Sequence, residues 1–393
     1  MKKYKYSQFN IEIKRDENSI TLYNTYSCKH ASVSLIDYQK KSDKLLEYGF
    51  IVPNELDEIQ IIKDEAHNQV DRTDFLYLSI ALTMGCNMHC KYCFEENKLC
   101  NTDYMTETTM NSVVKFIELK YKENNIKKPV HIKWFGGEPL LAINQIEYIV
   151  KRLNSINIEV SSKMYTNGLL LTKEKALKLK ELGLKEDVVI PLDGLSKTYA
   201  EHKGTTEKSF YTVINNIRQC QDILNIRIQL NTTNKNKEDI IYLYNNLRDK
   251  YEIKCPISLI PVMNYNSTTT NGYYIDSNTY QKVKDKLNIS EAHKRCLVGC
   301  EAFSKAYYVV GTNGDIYLCE HMLGKNQKPL AHITDDVIDI HKDSVWNIDY
   351  MIDNCSDCIL LPQCMNKCPT NIFIDKIPCN REMYILKLVE HFK

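Results

Sequence analysis

Three cysteines fall within eight residues in the run CNMHCKYC, as Cys86, Cys90 and Cys93, just after the apolar stretch LYLSIALT. Thiols packed so closely hold metal or form bonds with one another. A structural zinc ion wants four closed ligands, and no Cys or His pair follows at finger spacing. A cubane 4Fe-4S cluster also takes four ligands. Three local thiolates would leave one iron open, and an open coordination position is where chemistry enters. Further along stands GGEP, Gly136 to Pro139. Two residues without a Cβ let backbone come close to a bound ligand. TNG (Thr166, Asn167, Gly168) and the pair Asp193-Gly194 are further candidates, although both are also ordinary turn formers.

The chain holds 15 cysteines in 393 residues, and eight of them lie between Cys296 and Cys379. Lys plus Arg is 51 against 50 Asp plus Glu, so bulk charge gives no case for nucleic acid as a partner. No run approaches the ~20 apolar residues of a membrane helix. The basic start MKKYKYSQFN has no apolar core behind it, which predicts no signal peptide and a cytoplasmic location. In a reducing compartment, clustered thiols point to metal rather than to disulfides.

The elements that must position these residues alternate. LYLSIALT (76–83), PVHIKWF (129–135), IEVSSKMYT (158–166), DVVIPL, IRIQL and PISLIP read as six buried strands. Helical patterns separate them, with Thr106 and Thr172 as N-caps and Gly183 as a stop. Six β/α units predict a parallel sheet with right-handed crossovers, suited to a partial (β/α)6 TIM-like barrel. Ligands of such sheets bind at the carboxyl ends of the strands. The cysteines, GGEP, TNG and Asp193-Gly194 follow strands one to four in turn, so they converge on one rim.

CxxxCxxC after the first strand, with Tyr92 before the third cysteine and GGEP after the second strand, resembles the radical SAM superfamily. The resemblance covers about 76–261. It implies that Cys86, Cys90 and Cys93 hold a 4Fe-4S cluster whose open iron binds S-adenosyl-L-methionine. Reductive cleavage of that molecule would then release a 5′-deoxyadenosyl radical that abstracts hydrogen, the cofactors carrying the chemistry. The cofactor-binding positions it implies are Tyr92, Gly136, Gly137, Glu138, Pro139, Thr166, Asn167 and Asp193. Two positions depart from the family pattern. Pro191 stands where a ribose-contacting Ser is common, and Lys203 where an Arg often meets the carboxylate. Lys supplies charge but no bidentate fork.

The last hundred residues resemble the SPASM domain in the order and spacing of their cysteines. That likeness implies two auxiliary 4Fe-4S clusters, three clusters in all. Cys300, Cys319 and Cys368 with Cys296 would hold one, and Cys355, Cys358, Cys364 and Cys379 the other. The expected organisation is an N-terminal α+β cap (1–75), the radical SAM core (76–265), a linker (266–295) and a loop-rich iron–sulfur domain (296–393). FNIEIKRDENSITLYN reads as a strand pair, and the cap resembles a reduced leader-peptide recognition element, whose strand edge could take a peptide.

These likenesses imply a maturase that acts on a precursor peptide, forming a thioether or carbon–carbon crosslink, with flavodoxin or ferredoxin as electron donor. An alternative is an anaerobic sulfatase-maturating enzyme that forms formylglycine from Cys or Ser. There Glu320, after Cys319, would take the place of an Asp base. An iron–sulfur electron-transfer or scaffold protein is the non-enzymatic alternative, against which the vacant iron and GGEP both argue. No nucleic acid or membrane partner is expected.

Overall fold

The computed structural model describes residues 3–93, 104–262, 272–289, 295, 297–323, 327–335, 338, 346–364, 379 and 381–392. They form two compact units. One comprises Met1–Arg72, Glu291–Lys305 and His341–Lys393, and the other Thr73–Ser290 and Ala306–Ile340.

The first unit opens with β1 (Tyr4–Tyr6), β2 (Asn10–Arg15), β3 (Ser19–Asn24), β4 (Lys29–Ser34), α1 (Leu35–Lys40), β5 (Ile51–Pro53) and α2 (Glu58–Val70). β2, β3 and β4 make an antiparallel sheet with β3 in the centre, and β1 pairs with β5. The sheet is buried on both faces: Ile11 and Ile13 of β2 share one core with Tyr23 of β3, and Ile20 and Leu22 of β3 share the other with Leu45, Phe50 and Ile51. Asp57 starts α2 by accepting from the Ile59 and Gln60 amides.

The second unit is a doubly layered α/β core. Its elements are β6 (Tyr77–Ala81), α3 (Glu107–Glu123), β7 (Val130–Phe135), α4 (Ile143–Ser155), β8 (Val160–Tyr165), α5 (Lys173–Glu181), β9 (Val188–Leu192), α6 (Ser196–Lys203), α7 (Glu207–Cys220), β10 (Ile226–Thr232), α8 (Lys237–Asn246), β11 (Ile257–Pro261), α9 (Ser277–Lys286), β12 (Tyr307–Val310), β13 (Asp315–Tyr317) and β14 (Ala331–His332). The six expected strands pair in parallel in chain order from β6 to β11. Thr106 and Thr172 cap α3 and α5, each accepting an amide from three residues on. Gly183 follows α5 in the left-handed region, at φ +84°.

The sheet does not end at β6. β12 pairs with it in parallel, and β13 and β14 continue antiparallel, giving nine strands among the described residues. β12, β13 and β14, which the sequence groups with the iron–sulfur domain, thus extend the core's sheet. The chain then returns to the first unit with α10 (Ile348–Asn354), α11 (Leu361–Cys364) and α12 (Arg381–Phe392). There Leu297, Phe303, Ile348, Met351, Ile352 and Leu361 share a core with Phe9, Ile62, Ala66 and Val70. Among the described residues no helix is long and apolar enough to cross a membrane.

Candidate functional site

Strand period decides which side chains face the site. The register sets Ser79, Lys133 and Lys163 side by side across β6, β7 and β8. Their neighbours Leu78, Ile80, Ile132, Trp134 and Met164 point to the other face and are buried. One face of the core sheet is therefore polar although its strands are apolar in bulk.

The loop after β6 carries Cys86, Cys90 and Cys93, and its backbone is held from two sides. The Gly137 amide donates to Thr83 O at 2.9 Å, and the Glu138 amide to Gly85 O at 2.9 Å. From the other side, the His89 and Lys91 amides donate to the carbonyls of Lys203 and His202, at 2.8 and 2.9 Å. The Cys93 amide closes a turn on Cys90 O at 3.2 Å. Burial pushes the Cys90 thiol up to about 12; Lys203 pulls it down, while Cys93, Asp193 and Cys86 push it further up. Among the described residues no three Cys, His, Asp or Glu side chains converge as a single ion requires. A cubane makes no such demand, because each thiolate binds a different iron. Soft thiolates in a loop fixed by its backbone suit an iron–sulfur cluster in this way.

GGEP serves this loop directly. A Cβ at Gly137 would lie 2.0 Å from Gly85 O, and one at Gly136, where φ is +109°, 2.3 Å from Thr83 O. Both glycines are needed so that the backbone of 136–138 can lie against the cysteine loop. The Glu138 carboxylate, 1% exposed, accepts from the Leu140 amide (3.0 Å), Thr166 Oγ1 (2.7 Å) and the Asn167 amide (2.8 Å). It joins the ends of β7 and β8 and leaves main chain as what GGEP can offer a ligand. Pro139 opens the short turn that follows. Asn167 Nδ2 donates to Asn87 Oδ1 at 2.7 Å and lies 3.9 Å from Cys86 Sγ, so TNG is tied to the first cysteine.

Asp193 and Lys203 are fully buried, with 3.4 Å between Oδ1 and Nζ. The Tyr92 hydroxyl donates to Asp193 Oδ2. Burial opposes the charge on Lys203, but Asp193 and the surrounding phenols and thiol hold it protonated, well above the ordinary lysine range.

Glu320 follows Cys319 at the start of a short turn after β13. Its carboxylate meets Lys133 Nζ at 2.5 Å and accepts from Ser79 Oγ and, at 3.2 Å, from the Tyr307 hydroxyl. Burial pushes its pKa up, yet Lys133 and Ser79 outweigh burial and hold it below the usual carboxylate range. Sequence reasoning singled out Glu320 and missed Lys133, Ser79 and Tyr307. A signal existed: Lys133 is the charged residue in the middle of VHIKWF, where a fully buried strand should be apolar. Asn231 was missed in the same way; IRIQLNT alternates Arg227, Gln229 and Asn231 on one face.

Of the remaining cysteines, Cys300, Cys355, Cys358, Cys364 and Cys379 belong to the first unit and Cys319 to the second. Cys300, Cys355 and Cys358 pack against the core around Phe9 and Ile62, and Cys358 and Cys364 against that around Ile11, Ile13 and Tyr23. Cys296 and Cys368 lie outside the described residues.

An open parallel sheet of six β/α units, with three thiols on the loop after its first strand, defines the class of radical SAM domains. Residues 80–245 match the radical SAM superfamily, and this part of the chain is a radical SAM domain. The radical SAM cyclopropyl synthase TigE of Paramaledivibacter caminithermalis is 25% identical over 241 residues, 50% of this chain and 50% of TigE. The chain spans about half the length of the curated relatives it matches. Among solved structures, Streptococcus suis SuiB bound to precursor peptide SuiA has a TM-score of 0.56 at 16% identity, covering 94% of this chain and 96% of SuiB. Native anSMEcpe with bound AdoMet and Cp18Cys peptide has a TM-score of 0.59 at 18% identity, covering 81% of this chain and 96% of that one. These two likenesses establish the fold.

Proposed function

We propose that this chain is a peptide maturase that uses radical SAM chemistry to install a thioether or carbon–carbon crosslink in a precursor peptide. The observation that carries the reading is the cysteine loop, held by four backbone hydrogen bonds between GGEP and the end of α6. The names of the similar proteins support the peptide as substrate class, since SuiB was solved with a precursor peptide and anSMEcpe with a peptide.

In this reading Cys86, Cys90 and Cys93 hold the first cluster, and main chain at Gly136–Pro139 and polar groups at Thr166, Asn167 and Asp193 line the place of S-adenosylmethionine. When bound, cluster and S-adenosylmethionine together supply a carbon-centred radical that takes a hydrogen atom from the substrate. The protein's own contribution is to fix the loop, present main-chain donors and acceptors, and keep the polar face of β6–β8 ready for a substrate side chain. Cys296, Cys300, Cys319 and Cys368 would hold one auxiliary cluster and Cys355, Cys358, Cys364 and Cys379 the other. A flavodoxin or ferredoxin would deliver electrons. The edge of β4, running Lys29–Ser34, on which no strand of the described residues pairs, supports docking of an extended leader segment by strand addition.

Formylglycine formation would need Glu320 as a free base. Its carboxylate is instead committed to Lys133, Ser79 and Tyr307, which favours the first reading.

The test is anaerobic reconstitution with iron and sulfide. About twelve irons per chain are expected from three cubanes, with release of 5′-deoxyadenosine on reduction. Replacing Cys86, Cys90 and Cys93 by Ala should leave about eight irons and stop that release. Undiminished release from the triple variant would refute the site.

A further inference from the structure

Tyr92 stands between two of the three cysteines, and its hydroxyl is fully engaged. It donates to Asp193 Oδ2 and accepts from Lys203 Nζ at 3.1 Å and from Asn231 Nδ2 at 3.0 Å. One donated and two accepted bonds are all a phenol can make. The Lys203 ammonium also lies 5.6 Å from the centre of the Tyr92 ring and 3.4 Å from Asp193 Oδ1. The same residue's carbonyl accepts the His89 amide. Lys203 therefore touches the cysteine loop twice, once through main chain on the near side of Cys90 and once through its side chain on the far side.

We propose that Lys203 is a positioning residue for the cluster loop: with Asp193 it fixes the Tyr92 hydroxyl, and through it the turn that bears Cys90 and Cys93, instead of gripping the carboxylate of S-adenosylmethionine. The inference rests on the reading of that loop as the cluster site. Three features carry it. Lys203 and Asp193 are both buried, at 2% and 0% exposure, so each charge depends on the other for compensation. An ammonium is a point charge with three donors: one goes to Tyr92, and Asp193 Oδ1 faces it at 3.4 Å as an ion-pair partner. Turning it toward a second carboxylate would weaken its hold on Asp193 and release the phenol. Finally, the neighbouring turn is built for docking rather than for movement. A Cβ on Gly204, at φ +56°, would come within 2.4 Å of His89 O.

The experiment compares Lys203→Met, Tyr92→Phe and the double variant Lys203→Met/Asp193→Asn with the wild type. Each is reconstituted anaerobically, and three quantities are read. They are iron per chain, the electron paramagnetic resonance signal of the reduced cluster, and the affinity of the loaded fraction for S-adenosylmethionine, from the change that ligand causes in the signal. Lys203→Met should lose most of the four irons of this site. Tyr92→Phe should broaden the signal and lower occupancy about twofold, with affinity in the loaded fraction within twofold of wild type. The double variant has no uncompensated charge and keeps an amide oxygen for Tyr92, so it should regain at least half of the lost iron. The proposal is overturned if Lys203→Met keeps its full iron while affinity for S-adenosylmethionine falls tenfold or more. It is equally overturned if the double variant is no better than Lys203→Met. A wild-type chain that takes up no cluster at Cys86, Cys90 and Cys93 would instead sink the reading of the loop itself.

Discussion

At Gly137 the place of a side chain is already taken by the main chain of Gly85. The glycine pair is legible in the sequence as a close approach, but the pattern does not say to what. The first partner of that approach is the cysteine loop, which no local reading could supply. Gly137→Ala should therefore lower iron at this site as well as binding of S-adenosylmethionine, because a methyl group at 2.0 Å from a carbonyl oxygen forces the loop away. The expected cost is about 1–3 kcal/mol, as for other overpacked sites. Iron assay and ligand titration of the same preparation check it; a variant with full iron and weak binding would place the cofactor, not the loop, against Gly137. Lys133 gives a second test at this scale. Lys133→Met strands the Glu320 carboxylate among Ser79 and Tyr307, and removing one partner of a buried pair costs about 3–5 kcal/mol. The Lys133→Met/Glu320→Gln double variant should melt well above the single one. Equal melting temperatures would mean that the pair is not coupled. Neither partner names the other in the sequence, since they are far apart in the chain and meet only across β7 and the turn after β13.

Strands and capped helices of the core are the elements most visible in the sequence, because apolar runs and caps are local. α6 escapes. SKTYAEHK has no apolar stripe, yet Tyr199, His202 and Lys203 are buried. The helix earns its place by what it offers at its C-terminus, two carbonyls that hold the cysteine loop and a left-handed Gly204 that lets the loop pass. Gly204→Ala should strain both the turn and His89, costing on the order of 1–3 kcal/mol and lowering iron occupancy before it unfolds the sheet. Thermal melting of the iron-free chain, set beside iron uptake, separates the two effects; a variant destabilised without loss of iron uptake would show that α6 acts only on folding. β12 also escapes, for a different reason. YYVV reads as a strand anywhere, and only the assembled sheet shows that it pairs with β6.

At the scale of the molecule, the first unit joins residues 1–72 to 291–305 and 341–393, a union that no motif announces. Ion pairs and hydrogen bonds reinforce its shared cores. His67 bridges Asp71 at 2.9 Å and Asp349 at 3.0 Å, and Lys63 meets Asp353 at 2.6 Å. Thr25 Oγ1 donates to Ile359 O, and Gln363 donates to the Tyr23 hydroxyl. Burial works against the imidazolium of His67, but the two carboxylates prevail and its pKa is raised. A raised pKa adds stability that is complete below the ordinary histidine value, near 6.5, and is lost as pH rises through the folded value. The first unit should thus melt lower at pH 8 than at pH 6. The effect is modest, since half-exposed pairs contribute about 0–1 kcal/mol. His67→Gln should flatten that slope; an unchanged slope would assign it to other groups. Deleting residues 1–72 has a larger expected consequence. It strips Phe9, Ile62, Ala66 and Val70 from the core on which Cys355 and Cys358 pack, so iron should fall by about four per chain. Full iron retention in the truncated chain would show the C-terminal cysteines to be self-sufficient.

That composite unit also sets a timetable. A ribosome releases β2, β3 and α2 early, but their last packing partners follow Ile340, at about 5–20 residues per second on the order of tens of seconds later. Through that interval the apolar faces of Ile11, Ile13, Ile62 and Ala66 lack the neighbours they have in the finished fold. During synthesis these faces stay open to other chains until α10 and α11 follow, and Cys355 and Cys358 arrive only with the segment that covers them.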